Sequence, residues 1–358
     1  MRIAVVAHIR FPIAIPFMGG MEAHCASLCN GLVSSGHDVM LFAAPGSDTR
    51  AQLIPICDAA YEDVLPWEQW RGTEALNAYQ ARAFEKAWSI VGSGEFDVVH
   101  NNCLYPELLF WAERDGVPML TSQHVPPFGR MREAVREAAG KPLLQFSVTS
   151  NSQERLWFDT TPSNMRTVHN GIDTEVWLPG HRTDALLWSG RITPNKGTAL
   201  ALQAAHRAGV AMNLVGSVED ATYFTEAVEP LLDERRRYLG HRSGAELYGL
   251  MASARALVVT PMWDEPFGLV AAEALSCDIP VIAFDRGALS EVVGDCGALV
   301  PAGDVSALAD AMRNPPELRP GAARMRAREM FSIASMIAGY EKLYHAAMNA
   351  AASLAVSE

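Results

Sequence analysis

HNGIDTEVWLPGHRTDALLWSG, residues 169–190, separates two similar halves of the sequence. It begins with turn-forming residues and ends with ALLWSG, an apolar run of strand length that is followed by a helical segment. On both sides of it, short apolar or β-branched runs alternate with longer segments rich in Ala and Leu. This alternation is typical of parallel sheets covered by helices on both faces. The sequence therefore predicts an α/β fold with two doubly wound domains that join near residues 170–183.

The alternation also predicts the bounds of the strands and domains. Strands are predicted at 3–7, 39–42, 97–100, 118–122 and 146–149 in the first half, and at 185–190, 211–216, 256–260 and 280–284 in the second. After about residue 322, apolar residues recur at helical spacing, which predicts one or two outer helices. We expect an N-terminal domain over 1–170, a C-terminal domain over 171–325, and a helical tail over 326–358 that crosses back to the N-terminal domain.

The composition argues against several classes of protein. With 358 residues, 49% of them hydrophobic, the chain can bury two cores and is not disordered. Its net charge of -12 repels polyanions, so nucleic acid is not an expected partner. The six cysteines form neither a dense disulfide framework nor a paired C-x-x-C motif, and no run of about eighteen apolar residues occurs. MRIAVVAHIRFP is typical of a first strand rather than a signal peptide, so we expect a cytoplasmic protein.

Two such domains are expected to form a cleft lined by the carboxyl ends of both sheets, where open α/β sheets bind ligands. Gly19 and Gly20 lie between the first strand and a helix predicted to begin near Met21. Glycines let a backbone approach a ligand, and a helix N-terminus attracts phosphate, so this is a candidate phosphate site; an ordinary loop is the alternative. The chain has neither G-x-G-x-x-G after this strand nor G-x-x-x-x-G-K-[ST], which argues against a nicotinamide dehydrogenase and a P-loop enzyme.

Two further motifs lie at strand ends in the second half. GRITPNKG, residues 190–197, places Arg191 and Lys196 where both can bind a diphosphate; a solvated turn is the alternative. WDEPFGLVAAE, residues 263–273, leads into a helix whose first amides, at 267–269, offer an anion site. Glu265 precedes this helix, and Glu273 lies inside it among apolar residues, where ribose or sugar hydroxyls are suitable hydrogen-bond partners. The alternatives are a helix-start charge and a surface residue.

Histidines at strand ends of the first half form a fourth group of candidates. His100 closes the strand DVVH, and His124 follows the strand LTSQ, so both are expected to face the cleft, as is His8. A structural role is the alternative for each of them. Metal binding is not favoured, because no set of three or four ligands occurs at zinc-like spacing.

Two cationic segments are expected to lie at the surface. Residues 128–141 contain three arginines and a lysine, with an acceptor-binding loop or a membrane-surface contact as alternatives to a solvated helix face. The run RRR at 235–237 directly follows Asp233 and Glu234 and is also expected to be solvated.

Taken in order, these motifs resemble those of the retaining glycosyltransferases of family four, which have the two-domain GT-B fold. The resemblance covers nearly the whole chain, through MRIAVVA, GGMEAH, GHDVMLFAA, DVVH, HNGIDTEVW, SGRITPNKG, YLGHRSGAELYGLMASARALVVTP and DEPFGLVAAEALSCDIPVIAFDRGALSEVV. Its most specific element is the pair Glu265 and Glu273 combined with the upstream G-R-x-x-x-x-K-G motif. Met262 and Asp278 depart from the family pattern, the latter at a turn position that is commonly Gly.

The resemblance implies a role for each candidate residue. Arg191 and Lys196 would bind the diphosphate of a nucleotide-sugar donor, Glu273 would hold the ribose hydroxyls, and Glu265 would contact the hydroxyls of the donor sugar. His124 would lie at the sugar's outer hydroxyl, and His100 toward the acceptor. The implied catalytic residues are therefore His124, Arg191, Lys196 and Glu265. The remaining implied donor-site residues, which act largely through their backbone, are Gly19, Gly20, Gly240, His241, Phe267, Gly268 and Leu269.

The resemblance also implies a reaction. A hexose-type sugar would pass from a UDP or GDP sugar to an acceptor hydroxyl with retention of configuration, without a metal or other cofactor, and domain closure would gate the step. Fixed cations and helix N-termini would stabilise charge on the leaving diphosphate, which itself helps take the acceptor's proton. A GT-B epimerase or phosphorylase and a non-catalytic nucleotide-sugar-binding protein are the alternatives. The acceptor is a glycan, lipid or small molecule, and a lipid acceptor would place the protein peripherally on the inner face of a membrane.

Overall fold

The structure is a computed structural model that describes the backbone of residues 1–357 and the side chains of residues 1–354. The strands are β1 Arg2–Ala7, β2 Asp38–Ala43, β3 Gln52–Pro55, β4 Val98–Asn102, β5 Met119–Gln123, β6 Leu144–Val148, β7 Met165–Thr167, β8 Leu186–Ser189, β9 Met212–Val215, β10 Arg236–Tyr238, β11 Leu257–Val259, β12 Val281–Phe284 and β13 Gly297–Val300. The α-helices are α1 Gly20–Ser34, α2 Tyr61–Val64, α3 Trp67–Trp70, α4 Glu74–Val91, α5 Glu107–Arg114, α6 Gly129–Glu137, α7 Asn151–Trp157, α8 Thr198–Ala208, α9 Ala221–Tyr223, α10 Gly244–Ser253, α11 Leu269–Ser276, α12 Leu289–Val293, α13 Val305–Arg313, α14 Ala322–Met330 and α15 Ile333–Ser357.

The chain divides into two compact units. Unit 1 comprises Met1–Thr149, Glu154–Gly171 and the described chain from Ile333 onward. Unit 2 comprises Ile172–Ser332 together with the short segment Ser150–Gln153. The boundaries expected from the sequence follow residues 170 and 325. The last helix, α15, begins just after the end of unit 2 and packs within unit 1.

Unit 1 is a seven-stranded parallel sheet with the order β3-β2-β1-β4-β5-β6-β7. Every residue of β4, β5 and β6 is buried, as expected for parallel strands covered on both faces. On one face, α4, α5 and α6 pack over a core that contains Phe84, Trp88 and Phe146. On the other face, α1 and α15 pack over Leu28 and Tyr344.

Unit 2 is a six-stranded parallel sheet with the order β10-β9-β8-β11-β12-β13. Leu202 of α8 and Leu308 of α13 pack against one face, while Leu275 of α11 and Phe331 pack against the other. In each unit the strand order reverses beside the first strand, between β1 and β4 and between β8 and β11. Open α/β sheets bind ligands beyond the carboxyl ends of the strands at such a switch point. These two doubly wound sheets confirm the fold class expected from the sequence.

The four strands that the sequence did not reveal are the edge strands of both sheets, β3, β7, β10 and β13. An edge strand has one neighbour and is buried less. The strands β3, β7 and β10 each include a polar or charged residue, whereas β13, with the sequence GALV, is apolar but mostly half-buried. The sequence QLIP of β3, for example, is exposed at both ends.

The prediction that the run at 235–237 is solvated is wrong for Arg236, which lies in β10 and is only 8% exposed. Its guanidinium is buried because it pairs with Asp233 and donates to the ring of His206 at 2.8 Å.

Among the described residues, every helix is too short or too polar to cross a bilayer.

Candidate functional site

Three neighbouring strands of unit 2 end in glycines at the same edge of the sheet. Gly190 follows β8, Gly216 follows β9, and Gly240 lies just beyond β10. The Gly216 N–H donates to the Gly240 carbonyl at 3.2 Å, and a Cβ atom at Gly216 would lie 1.7 Å from the Gly190 oxygen. The edge is therefore lined by backbone, which a planar ligand can approach closely. His241, the other residue expected here, is exposed, and its carbonyl accepts from Arg242.

The turn after β8 places Lys196 against Glu265, which follows β11. Lys196 Nζ donates to Glu265 Oε2 at 2.6 Å, and both side chains are mostly buried, at 23% and 12% exposure. The Thr260 hydroxyl stabilises this turn through hydrogen bonds to its backbone. Oγ1 lies 2.9 Å from the Lys196 carbonyl oxygen and 3.1 Å from the Gly197 carbonyl oxygen. Two residues predicted from separate motifs are thus brought into direct contact.

Trp263 is a site residue that the sequence did not reveal. Its indole Nε1 donates to Glu265 Oε2 at 2.9 Å, so the same carboxylate oxygen accepts from both Lys196 and Trp263. Lys196 Nζ also lies 5.2 Å from the centre of the Trp263 ring, within the range of a cation–π interaction. The signal in the sequence was its place in the segment WDEPFG, two residues before the glutamate.

Arg191 pairs elsewhere in the same unit. Its Nη1 donates to both carboxylate oxygens of Glu219, at 2.9 and 2.7 Å, and both side chains are well exposed. The structure thus joins Lys196 to Glu265, whereas no contact joins Arg191 to either of them among the described residues. An exposed pair of this kind is weak, so the guanidinium is readily available to a stronger anion.

The turn before α11 presents backbone N–H groups beside this carboxylate. Gly268 caps the helix with a φ of 89°, and a Cβ atom there would lie 3.7 Å from Cγ of Glu265. Within residues 1–357, no acceptor lies in hydrogen-bond range of the N–H groups of Gly268 and Leu269. Phe267 is buried and packs edge-on against Phe331, with ring centres 5.4 Å apart, which fixes the turn.

Glu273 lies one helical turn beyond Leu269, on the same face of α11. Its immediate neighbours Ala272 and Ala274 are fully buried. Burial raises the pKa of Glu273 to about 7. No hydrogen bond or ion pair to this carboxylate occurs among the described residues, although part of the side chain is exposed. Glu273 is therefore an available hydrogen-bonding group close to the open amides of the helix start.

In unit 1, Gly19 and Gly20 form the start of α1, as expected from the sequence. Gly19 is extended and provides no side-chain cap. The buried Glu22 of the first turn lies close by, since a Cβ atom at Gly19 would be 3.1 Å from its Oε2. Nε2 of His8 lies 3.2 Å from the other oxygen of that carboxylate. This helix start therefore already holds a carboxylate and an imidazole.

His124 and His24 lie close together in unit 1. Their ring centres are 4.1 Å apart, and His124 Nε2 lies 2.7 Å from Oδ1 of Asn102. Its other ring nitrogen, Nδ1, is buried without a hydrogen-bond partner among the described residues. Nε2 of His24 lies 3.0 Å from the hydroxyl of Tyr340 in α15.

The prediction of a cleft-facing His100 is wrong. The ring is fully buried, with Nδ1 2.6 Å from the Tyr344 hydroxyl and Nε2 2.7 Å from the Ser122 hydroxyl. Both nitrogens are thus occupied within unit 1, and none of the ring remains for an acceptor. The sequence placed His100 correctly at a strand end, but its partner Tyr344 lies in the last helix, and no local pattern links the two.

These buried histidines predict acid lability. Burial lowers the pKa of His100 and of His124 to about 3, and burial followed by repulsion from His124 and His100 lowers the pKa of His24 well below its usual value. In the unfolded chain each titrates near 6.5. The contribution of His100 and His124 is therefore intact above pH 6.5 and is lost as the pH falls toward 3, at about 1.4 kcal/mol per pH unit for each of the two; His24 contributes in the same direction.

Urea unfolding between pH 7.5 and 4.5 measures this loss. His100→Gln is expected to be less stable at pH 7.5, because both ring hydrogen bonds are altered, but to lose stability less steeply with acid than the parent protein. His345→Gln, which changes an exposed histidine of α15, is the matched control and should keep the parent slope. An unchanged slope in His100→Gln would contradict the assignment.

No cluster of three or more potential metal ligands occurs among the described residues. The Glu265 carboxylate is paired with the Lys196 ammonium group.

Comparisons with known proteins agree with this architecture. Residues 18–176 match the model described as Glycosyltransferase Family 4, and residues 183–314 match the model described as Glycosyl transferases group 1. The chain is 26% identical to a glycogen synthase of Mycobacterium tuberculosis, over 92% of this chain and 89% of that protein. It is 29% identical to a D-inositol 3-phosphate glycosyltransferase of Saccharomonospora viridis, over 87% and 85%.

A solved structure shows the same fold. The Anabaena protein HepE, crystallised in complex with UDP-glucose, superimposes with a TM-score of 0.70 at 17% identity, covering 96% of this chain and 98% of that one. The two family models together span most of the sequence and confirm the resemblance noted in the motifs. The chain belongs to family 4 of the glycosyltransferases, enzymes with the GT-B fold that transfer a sugar from a nucleotide-sugar donor.

Proposed function

We propose that this enzyme transfers a hexose-type sugar from a nucleotide diphosphate sugar to an acceptor hydroxyl, with retention of configuration and without a metal ion. The observation that carries the proposal is the mostly buried Lys196, held by Glu265 beside the open amides of Gly268 and Leu269. A cation and a helix start in one place form a site for a phosphate group. Arg191 adds a second cation once it exchanges Glu219 for the donor.

Bond cleavage at the anomeric carbon places negative charge on the leaving diphosphate and positive charge on the sugar. Fixed hydrogen-bond donors and cations stabilise that negative charge without having to reorganise during the reaction. This electrostatic stabilisation is usually the largest single contribution to catalysis. Glu265, held by Lys196 and Trp263, is suited to accept hydrogen bonds from donor-sugar hydroxyls. We assign His124 to an outer hydroxyl of the sugar, because its Nδ1 has no hydrogen-bond partner among the described residues; that nitrogen is buried here and must become accessible when the donor binds. In this proposal, the leaving phosphate takes the acceptor's proton on the front face.

We assign the base of the donor nucleotide to the glycine-lined edge of the unit 2 sheet, and the ribose of the donor to α11. The glycine edge at Gly190, Gly216 and Gly240 admits a flat base, and Glu273 accepts from the ribose hydroxyls. The start of α1 at Gly19 and Gly20 is assigned to the phosphates, which requires the Glu22 carboxylate to stay turned toward His8.

A thermal-shift screen over UDP-, GDP-, ADP- and dTDP-glucose first identifies the nucleotide that binds. The test is incubation of the full chain with that donor, with and without methyl α-D-glucopyranoside or methyl α-D-mannopyranoside as the acceptor. Proton NMR of the product, formed with and without EDTA, reports the anomeric configuration. Product of the donor's own configuration that forms equally well with EDTA supports the proposal. An inverted product contradicts retention, loss of turnover with EDTA contradicts metal independence, and epimerised donor formed without acceptor identifies an epimerase.

Glu273 predicts a pH-dependent affinity for the donor. Ribose hydroxyls donate more strongly to a carboxylate than to a neutral carboxyl group, so nucleotide binding favours the ionised form of a group with a pKa of about 7. Affinity for the matching nucleoside diphosphate should therefore rise between pH 6 and pH 8. Glu273→Gln is expected to bind about threefold to tenfold more weakly at pH 8 and to lose this rise.

Calorimetric titration at both pH values tests this prediction, with the exposed Glu226→Gln as the matched control. Equal affinity in Glu273→Gln and the parent protein at pH 8 would remove Glu273 from the ribose site.

A further inference from the structure

One amide at the end of β4 contacts the imidazole of His124. Asn102 is the last residue of β4, and His124 directly follows β5, the neighbouring strand of unit 1. The register pairs Asn101 with Thr121, so residues 102 and 124 lie on the same face of the sheet. Oδ1 of Asn102 lies 2.7 Å from Nε2 of His124. Asn102 is fully buried and His124 is nearly so, and solvent therefore does not compete for this contact.

This contact decides which ring nitrogen of His124 carries the proton. An amide oxygen only accepts hydrogen bonds, so Nε2 is the donor and carries hydrogen. Burial lowers the pKa of His124 to about 3, so the ring is neutral near pH 7 and has a single N–H. Nδ1 is therefore a lone pair, and it has no hydrogen-bond partner among the described residues.

A second histidine restricts the rotation of this ring. The ring of His24, from α1, lies against that of His124, with centres 4.1 Å apart and an interplanar angle of 50°. Nε2 of His24 lies 3.0 Å from the hydroxyl of Tyr340 in α15, so His24 is itself anchored. The His124 ring is thus held at one nitrogen by an amide and on one side by another ring.

We propose that Asn102 is a positioning residue for sugar transfer: its Oδ1 keeps His124 in the Nε2–H tautomer and so directs the lone pair of Nδ1 to a hydroxyl of the donor sugar. Nothing in the motif HNN announces this role, because the partner of Asn102 lies on the next strand. The inference rests on the proposed function, which assigns His124 to the sugar, but the tautomer itself is measured without any donor.

The tautomer matters because the two nitrogens of a neutral imidazole carry opposite partial charge. The unprotonated nitrogen is the negative end of the ring dipole, and the N–H is the positive end. The donor sugar gains positive charge as its bond to the diphosphate breaks. A lone pair at Nδ1 therefore interacts more favourably with the transition state than with the bound donor, which raises kcat, whereas an N–H at this position would oppose the same charge.

Long-range proton–nitrogen NMR of the full chain, labelled with ¹⁵N-histidine and free of ligand, measures the tautomer. The His124 signals are those missing from His124→Gln. We expect hydrogen on Nε2 and an Nδ1 signal far downfield, typical of an unprotonated nitrogen. Asn102→Leu, which removes the acceptor at similar size, should shift His124 toward a mixture of tautomers. Asn101→Leu is the matched control, because Asn101 is equally buried but faces the other side of β4.

Binding and turnover connect the tautomer to the reaction. The nucleotide-glucose identified by the thermal-shift screen should move the Nδ1 signal of His124 upfield, and the bare nucleoside diphosphate should not. At saturating donor, release of nucleoside diphosphate by Asn102→Leu should be about threefold to tenfold slower than by the parent protein. Asn101→Leu should keep the parent rate, and all three proteins should show the same thermal shift with the bare nucleoside diphosphate.

Hydrogen on Nδ1 in the parent protein would show that Nδ2 rather than Oδ1 of Asn102 faces the ring, and would overturn the proposal even if Asn102→Leu fails to fold. A folded Asn102→Leu protein with an altered tautomer and the parent rate would also overturn it. If the parent protein has the expected tautomer but binds no nucleotide-glucose, the proposed function fails, and the role of Asn102 in the reaction fails with it.

Discussion

Lys196→Ala is expected to lower kcat by about a hundredfold to a thousandfold, the usual range when one fixed donor to developing charge is removed. The ammonium group is mostly buried, is held by Glu265 at 2.6 Å, and lies beside the open amides of the α11 start. Solvent therefore cannot replace its charge cheaply when the diphosphate leaves. Because Glu265 would lose its ion pair, the variant is also expected to be somewhat less stable.

Single-turnover kinetics with saturating donor measure this effect, and circular dichroism verifies that the variant is folded. Lys86→Ala removes an exposed lysine of unit 1 and should retain parent activity. Lys196→Arg keeps the charge and should recover part of the lost rate. A folded Lys196→Ala protein with near-parent kcat would show that Lys196 serves only to hold Glu265.

Gly216→Ala is expected to destabilise unit 2 by more than about 4 kcal/mol, a loss that few single substitutions reach. Gly216 has a φ of 145°, which side chains rarely adopt, and its Cβ atom would lie 1.7 Å from the backbone oxygen of Gly190. Neither strand end can move away easily, because β8 and β9 are paired along their length. The substitution should therefore separate two central strands at the edge assigned to the nucleotide base.

Gly249→Ala is the control for this substitution. Gly249 lies exposed inside α10, and a Cβ atom there would meet nothing within 4 Å. Alanine should raise the unfolding free energy by roughly 0.5–1 kcal/mol, because it favours helix more than glycine does. Urea unfolding of both variants tests the pair. Similar stabilities would show that the strand ends tolerate a side chain at Gly216.

The central strands could be predicted from the sequence because they are buried on both faces. Runs such as IAVVA, residues 3–7 of β1, and VIAF in β12 are apolar and buried at every position, so their composition reveals them. The edge strands β3 and β10 carry polar or charged residues, and their pairing depends on neighbours distant in the chain. Asp278 also depends on a residue distant in the chain. It adopts a φ of 58° at a position where the family commonly has Gly, and its carboxylate accepts from the Gly321 N–H at the start of α14.

The two halves of the candidate site differed in how well the sequence revealed them. In unit 2 the motifs lie in contiguous turns, and the contact between Lys196 and Glu265 follows from two strand ends that are neighbours in the sheet. In unit 1 the sequence could not distinguish an exposed histidine from a buried one. His100 is enclosed by Tyr344, which comes from the other end of the chain.

The position of α15 imposes an order on biosynthesis. A ribosome exposes the strands of unit 1 first, yet the helix that carries Tyr340 and Tyr344 is translated only after all of unit 2. During that interval, His24 lacks the Tyr340 hydroxyl, His100 lacks the Tyr344 hydroxyl, and the apolar surface over Leu28 is uncovered. Unit 2 can fold while the chain is still attached to the ribosome, whereas unit 1 keeps an exposed apolar surface until α15 has been made. Nascent chains stalled before residue 333 should therefore be preferred clients for chaperones that bind exposed apolar surface.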